Sequence, residues 1–503
     1  MWRYNAGRGA ATPHALPESL HLEWVRELPR ADTAWPASQG KLQFDAAPEP
    51  VVAGQRIFVP STVNDNVTAY DTRSGQEQWR FYADGPVRFA PLAHDGRVYF
   101  VSDDGHLYCL AADDGRLIWR VSGGPARRWV LGNDRLVSSW PARGAPVLHQ
   151  GKIYFAASIW PFMGIFVHAV DPETGRIVWT NSGDGTNYVP QPHRGAVGFA
   201  TIVPQGNLVA DGDHLIVPGG RSTPGIFDAR NGKLVHFAFD KRVGGYLVSA
   251  SRGAYFLEGK IYSAANGQPL GYGDPAVIDD GTVITTRGGT VQVNEMRGVV
   301  TTGSTDRRGE KTVNASLAAK WLYRFKLTGS PEKVFLKAGP RLYTGGKGEV
   351  AAFDAGPPAA GAAADGEARR PVWSAKIDGE VWSMLAADDR LFAITTDAVL
   401  YCFSGTAPGD VARHPLEQDA IDERRDEMTA RAANVLGLAG CEAGYAVALS
   451  IGSGRLIEEL LHQSKLYVIA VDRDAEKVDS LRRRMEAAGL YGRRISAHVG
   501  EPA

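Results

Sequence analysis

Between residues 50 and 180 apolar and polar positions recur in one order. A short apolar run meets a turn, a second run meets another turn, and a third strand closes on tryptophan. "PVVAGQRIFVPSTVNDNVTAYDTRSGQEQW" (50–79), "PLAHDGRVYFVSDDGHLYCLAADDGRLIW" (91–119) and "PVLHQGKIYFAASIWPFMGIFVHAVDPETGRIVW" (146–179) overlay on this pattern. In each, the proline is followed seven residues later by an apolar β-former: Ile57, Val98 and Ile153. Each ends in Gly-x-x-x-Trp, at Gly75 to Trp79, Gly115 to Trp119 and Gly175 to Trp179. A looser copy carries His236 in the tryptophan position. A late one ends at Trp373 after an Ala/Gly-rich insertion, Gly356 to Gly366.

One copy is physically legible. "GRVYFVSDDGHLYCL" predicts two short strands of β-branched and aromatic residues joined at an Asp-Gly turn. The next turn carries Asp71, Asp171, Asp228 or Asp354, whose carboxylates can bond the turn backbone. Gly75, Gly175 and Gly232 can take positive φ there. Ala111 replaces the aspartate in the second copy, so that residue is not obligatory. The tryptophan offers a plate to the neighbouring sheet. A single such sheet cannot bury both faces; radial stacking does, which predicts a β-propeller.

The repeated "A-x-D-x-x-T-G-x-x-x-W" step resembles the PQQ-like (quinoprotein alcohol dehydrogenase-like) propeller repeat, over roughly residues 20 to 404. Outer strands fall near Trp79, Trp119, Trp179, His236, Trp321 and Trp373, with a degenerate one near "GQPLGYG" (267–273). "LHLEWVREL" (20–28) is a tryptophan strand with no sheet before it, and the last inner strands, ending near Ser404, lack one after them. The N-terminal strand is therefore expected to complete the last blade, giving eight blades, or seven without the degenerate copy.

Composition narrows the function classes. The 55 Lys+Arg balance 56 Asp+Glu, which argues against nucleic-acid binding by bulk charge. Cys109, Cys402 and Cys441 fit no zinc or redox spacing. No apolar run reaches the roughly 18 residues of a membrane span. "MWRYNAGRGA" holds no hydrophobic signal region. Proteins with this repeat are commonly exported, so the resemblance alone points to the cell envelope.

A quinoprotein dehydrogenase, as the resemblance implies, needs a buried quinone, a calcium ion held by carboxylate and amide oxygens, and a catalytic aspartate. The flanking motifs of that set are absent, so pyrroloquinoline quinone is not expected here. A binding or scaffold module is the preferred reading, with a quinoprotein oxidoreductase as an alternative. Loops that exceed the minimal repeat are the place for a site. Arg88 and Arg143 each stand three residues before the repeat proline, and the insertions add Arg127, Arg128, Trp140, Trp160, His193 and Arg194. Arginine with tryptophan suits a protein or peptide hot spot, and converging arginines suit a small anion. The competing structural reading is that these loops pack on each other and the arginines cap turn carbonyls.

The remaining residues change character. Residues 405–438 form a Gly/Pro linker and a charged segment with Ile421, Met428, Ala432 and Val435 on a helical period, expected to end at Gly437. Residues 439–503 alternate strand, helix, strand, helix, strand, one half of a doubly wound α/β Rossmann-like sheet. The pattern resembles class I S-adenosylmethionine-dependent methyltransferases, with a dinucleotide-binding half-domain as the alternative. Gly452, Ser453 and Gly454 fall in the first strand-to-helix turn. Asp472, 18 residues after Gly454, holds the ribose hydroxyls in that family, and Glu501 fits the acidic position near the adenine. Ser450 and Leu456 depart from the family's acidic residue and third glycine. Only three of the family's seven strands lie in residues 440–503, so the unit is expected to be inactive in this chain and to leave apolar edges and faces uncovered. The alternative is part of a longer methyltransferase, with the propeller as its substrate- or partner-binding domain.

Overall fold

The computed structural model describes the chain except residues 184–186, 191–196, 240–242, 306–310, 330–332, 359–364, 422–423 and 502–503, and the side chains of 187–190, 197–200, 304–305 and 311–313. Short antiparallel strands dominate. Val51–Ala53, Arg56–Pro60, Asn66–Asp71 and Glu77–Tyr82 pair in that order. The arrangement recurs in residues 92–122, 144–181, 209–236, 249–272 and 275–327. Residues 249–272 include the degenerate "GQPLGYG" segment, whose Pro269–Tyr272 strand completes a four-stranded sheet. Lys333–Ala338, Arg341–Gly345 and Lys347–Asp354 lead through the long strand Trp373–Ala387 into Arg390–Thr395 and Val399–Ser404. First strands of most neighbouring sheets touch, and Trp373–Ala387 meets Val51–Ala53, so the series returns on itself. The core is layered between sheets: Phe58, Val67 and Trp79 pack with Val98, Phe100 and Leu110.

The tryptophan–glycine step acts between sheets. The Trp79 ring lies where a Cβ on Gly115 would meet it at 2.6 Å, and Trp119 stands likewise over Gly175, Trp179 over Gly232. These glycines have φ of 72°, 72° and 76°, so both conformation and space demand glycine. His236 takes the same place over Gly267. The partner of Gly75 is Trp24, carried on His21–Glu27, which pairs antiparallel with Val399–Ser404. The N-terminal strand thus sits as the outer strand of the last sheet.

Residues 6–12 run along the inside. The Ala6, Gly7, Gly9, Ala10 and Thr12 carbonyls accept from the Ala210, Ala250, Ile278, Lys337 and Gly339 amides, on successive first strands or just beyond them. A Cβ on Gly7 would lie 2.3 Å from the Ala250 carbonyl oxygen, and one on Gly9 2.4 Å from that of Ile278. This close approach explains the glycines of "NAGRGA".

Beyond the sheets, Ala412–His414 adds in parallel beside His21–Glu27, so the start of the expected linker belongs to the last sheet. Helix α1 (Glu427–Ala439) begins at Asp426, whose carboxylate accepts from the Met428 and Thr429 amides. It ends at Gly440 rather than Gly437, because Gly440 adopts φ 58° and its amide bonds Leu436. Helices α2 (Arg455–Gln463) and α3 (Ala475–Ala487) link the parallel strands Ala443–Ala448, Lys465–Asp472 and Ile495–Val499. Val468, Ala470, Ile495 and Ala497 pack with Ile457, Leu461, Val478, Leu481 and Met485 of the two helices. Among the described residues, no helix is long and apolar enough to cross a membrane.

Candidate functional site

The loops singled out by sequence divide into a buried network, an exposed patch and a contact with the C-terminal unit. Arg88 and Arg143 do not face an open loop. Arg88 donates through Nε to Asp103 at 2.7 Å and through Nη1 to Asp45 at 2.6 Å and the Asp32 carbonyl at 2.8 Å. Arg143 meets Asp103 through Nε at 3.0 Å and Nη2 at 2.9 Å. All four side chains are buried. Burial alone would raise the Asp103 pKa, but Arg143 and Arg88 hold it down to about 2. Charges removed from water demand such pairing, which is why these arginines turn inward rather than toward an anion. Trp140 is also inward, buried, with its Nε1 donating to the Met163 carbonyl at 2.8 Å. Arg127, Arg128 and Trp160 remain at the surface. Trp160 is 43% exposed beside Phe162 at 69%, with ring centroids 6.1 Å apart. His193 and Arg194 lie outside the described residues.

The hairpin Trp129–Gly132 and Arg135–Ser138 and the loops holding Asn64, Asp65 and Asp84 carry the α/β unit. Glu486 of α3 accepts from Asn64 Nδ2 at 2.6 Å, Asn66 Nδ2 at 3.3 Å, Arg80 Nη1 at 2.5 Å and the Tyr82 hydroxyl. One turn earlier, Arg482 bonds the Ala497 carbonyl and donates to Asp84 at 2.7 Å. Arg135, paired with Asp65 at 2.5 Å, faces Tyr467, and the Trp129 ring lies 5.6 Å from that of His498. At Gly492 a Cβ would come within 1.7 Å of the Val63 carbonyl oxygen, so only glycine permits this approach. Sequence reasoning missed this contact. Its one local signal is on α3, where Arg482 and Glu486 share a helical face with Val478 and Met485: charges within an apolar stripe.

The C-terminal turn brings several expected residues together. Asp472 accepts from the Ile451 amide at 2.8 Å, the Ser450 hydroxyl at 3.3 Å and the Asp474 amide at 3.0 Å. The backbone bonds from Asp474 and Ile451 lower its pKa, keeping the carboxylate charged. Gly452 has φ 58° with open space where a Cβ would stand; Gly454 caps α2 at φ 81° against Arg484. The Ser453 hydroxyl accepts from the Arg455 amide at 3.4 Å. Glu501 is exposed, 3.5 Å from Arg473. The Asp472 oxygens retain acceptor capacity beyond these bonds. Among the described residues, no three His, Cys, Asp or Glu side chains cluster closely enough to hold a metal ion.

Residues 22–188 match the family described as outer membrane protein assembly factor BamB. The dehydrogenase subunit of quinone-dependent alcohol dehydrogenase from Gluconobacter oxydans (strain 621H) is 37% identical over 86 residues, 17% of this chain and 11% of that protein. Its counterpart from Komagataeibacter europaeus is 37% identical over 87 residues, with the same shares. The chain thus spans only 11% of the length of these curated relatives. Among solved structures, quinohemoprotein alcohol dehydrogenase from Comamonas testosteroni is 15% identical, with 88% of this chain and 85% of that one covered, at a TM-score of 0.47. BamB from Moraxella catarrhalis is 13% identical, with 70% and 82% covered, at a TM-score of 0.36. With its strand repeat and its tryptophan–glycine steps, the chain carries a PQQ-like β-propeller of the type found in BamB and in quinoprotein alcohol dehydrogenases.

Proposed function

We propose that the propeller, a closed ring of eight blades, is a binding and scaffold module, and that one of its loads is the chain's own α/β unit. The observation that carries this reading is the Glu486 contact. A largely buried carboxylate from one unit is met by Asn64, Asn66, Arg80 and Tyr82 of the other. Such a set is specific in geometry, because four donors converge on one carboxylate. The exposed Trp160–Phe162 pair and the exposed Arg127 and Arg128 remain for a protein or peptide partner. That the matched family is named for outer-membrane assembly supports this partner class and an envelope location. The test is to place a protease site at residues 420–425 of the full chain, cleave it, and follow the fragments by gel filtration. Co-elution of the two fragments is expected; separation at micromolar concentration would end the scaffold reading.

A second reading rests on the C-terminal turn. Asp472 and the open space above Gly452 suit the ribose and main-chain approach of S-adenosylmethionine, the cofactor of a longer methyltransferase. Calorimetric titration of S-adenosylmethionine into the 503-residue protein should give binding that Asp472→Ala abolishes. No heat from the parent protein would remove this reading and leave the first intact.

A further inference from the structure

A cleft of about 300 Å³ opens between the first sheet, the strand His21–Glu27 and helix α3. It lies outside the inner wall of the ring. Its walls include residues of Arg56–Pro60, Asn66–Asp71 and Glu77–Tyr82, and among the described residues none comes from the first strand Val51–Ala53. The volume stands at the lower end of small-molecule sites. We propose that the cleft binds a small aliphatic carboxylate, gripped by the free guanidinium edge of Arg26 and the Tyr70 hydroxyl.

Two uncommitted donors carry this inference. Arg26 donates through Nε to the Gly75 carbonyl at 2.9 Å and holds its guanidinium 4.4 Å from the Tyr70 ring centroid. Its two Nη atoms have no partner among the described residues, and no carboxylate oxygen there stands within 4.0 Å of them. Tyr70 is buried and lines the cleft, yet its hydroxyl too has no partner among the described residues. A buried phenol ordinarily finds one. The repeat sharpens the point. The residue before the turn aspartate, or before Ala111 in its place, is Leu110, Val170, Phe227 and Phe353 in four other copies, each buried. Packing at this position therefore needs no oxygen. Burial raises the Tyr70 pKa despite Arg80 and Arg26, so the phenol keeps its proton and can donate.

The other charges at the cleft are already used or lie in solvent. Arg80 bridges Glu77 and Glu486, and Arg483 holds Asp479. Glu27, Glu417 and Arg493 are exposed, where water and salt screen them. Arg26 is half-buried, so a carboxylate on its planar fork gains more than it would in open water and can take two parallel bonds. Leu28, Pro29, Val59, Pro60 and Leu416 supply aliphatic walls for the rest of the ligand. Binding transfers no group. Residues 415–418 and Arg483, Glu486 and Ala487 of α3 close the cleft, so the site rests on the docked arrangement proposed above.

The experiment is calorimetric titration of the full protein with 4-methylpentanoate, with neutral 4-methylpentanamide and inorganic sulfate in parallel. The acid should bind with a dissociation constant of about 1 mM or below. The amide should be silent and sulfate at least about tenfold weaker. Arg26→Gln should weaken the acid about tenfold or more, and Tyr70→Phe about threefold or more. Phe227 and Phe353 already fill the equivalent position, so Tyr70→Phe keeps the fold, as an unchanged melting temperature will verify. Silence of the acid at about 20 mM, equal binding of the amide or of sulfate, or undiminished binding in either folded variant would each overturn the assignment. Silence while the cleaved fragments still co-elute strikes the ligand alone; separation of the fragments removes the docking on which the site rests.

Discussion

Glu486→Ala tests the scaffold reading most directly. The side chain is 11% exposed, and its main partner Arg80 is 20% exposed. Truncation removes the acceptor of Asn64, Asn66, Arg80 and Tyr82 at one stroke. Removing one partner of a buried ion pair costs about 3–5 kcal/mol, because the other charge stays buried without compensation. Arg80 keeps a second bond to Glu77 and some solvent, so the lower end, about 3 kcal/mol, is expected. That loss falls on the contact between units rather than in either core. It corresponds to about a hundredfold shift toward the undocked state, at 1.4 kcal/mol per tenfold. Hydrogen exchange in increasing urea should therefore separate the units. Amides of Lys465–Asp472 should exchange at lower urea in the variant, while those of Arg97–Val101 keep their midpoint. Glu486→Gln retains an acceptor and should show a smaller shift, about 1 kcal/mol. An equal shift of both strands, or a change below about 0.5 kcal/mol, would refute the placement of this energy at the contact.

Trp24→Ala should act in the opposite place. The ring is fully buried, donates to the Thr72 carbonyl at 2.9 Å and covers Gly75, so a loss of about 3–5 kcal/mol should appear in the propeller strands by urea unfolding. Arg143→Met leaves Asp103 buried with Arg88 alone, and a loss of about 3 kcal/mol in thermal unfolding is expected. Asp103 is held at about 2, so its contribution is complete above the ordinary carboxylate range and is lost as pH falls toward 2; in the variant that loss should begin at higher pH. Glu49 has the reverse sign. Its folded pKa is raised to about 8 amid Arg3, Arg8, Lys333, Asn207 and Tyr246, so the fold binds a proton that the unfolded chain has released. Stability should therefore decline as pH rises from about 4.5 to about 8, and Glu49→Gln should flatten that slope in urea titrations at each pH.

What was legible in the sequence is what repeats or is held locally. The tryptophan step could be read because each Gly-x-x-x-Trp carries both halves of an inter-sheet contact, one used by the sheet before and one by the sheet after. Trp24 could be assigned to the last sheet for the same reason: it is a plate with no glycine of its own. The ligand-facing and the packed readings of Arg88 both stayed open in the sequence because nothing local distinguishes it, with its partners Asp45 and Asp103 43 and 15 residues away, from an exposed loop arginine. Residues 1–12 were missed because polar and glycine residues fill an interior lane by bonding main chain rather than by burying apolar side chains, which leaves no hydrophobic period.

The α/β unit shows how such long-range partners change a local expectation. A parallel sheet is normally covered on both faces, and here α2 and α3 cover only one. On the other, Tyr467, Ile469, Ser496 and His498 are nonetheless buried, beside Arg135 and Trp129 of the propeller hairpin. The propeller therefore supplies cover that a second helix layer would otherwise provide. That cover stops at the outer strand, where Tyr445, Val447 and Leu449 stay 45%, 59% and 60% exposed. The uncovered face expected from three strands is thus confined to Ala443–Ala448 and the residues just after it. The burial of the other two strands depends on the same contact that Glu486 holds, which is why loss of that one carboxylate should be read in the strand Lys465–Asp472, more distant in sequence from it than its own helix.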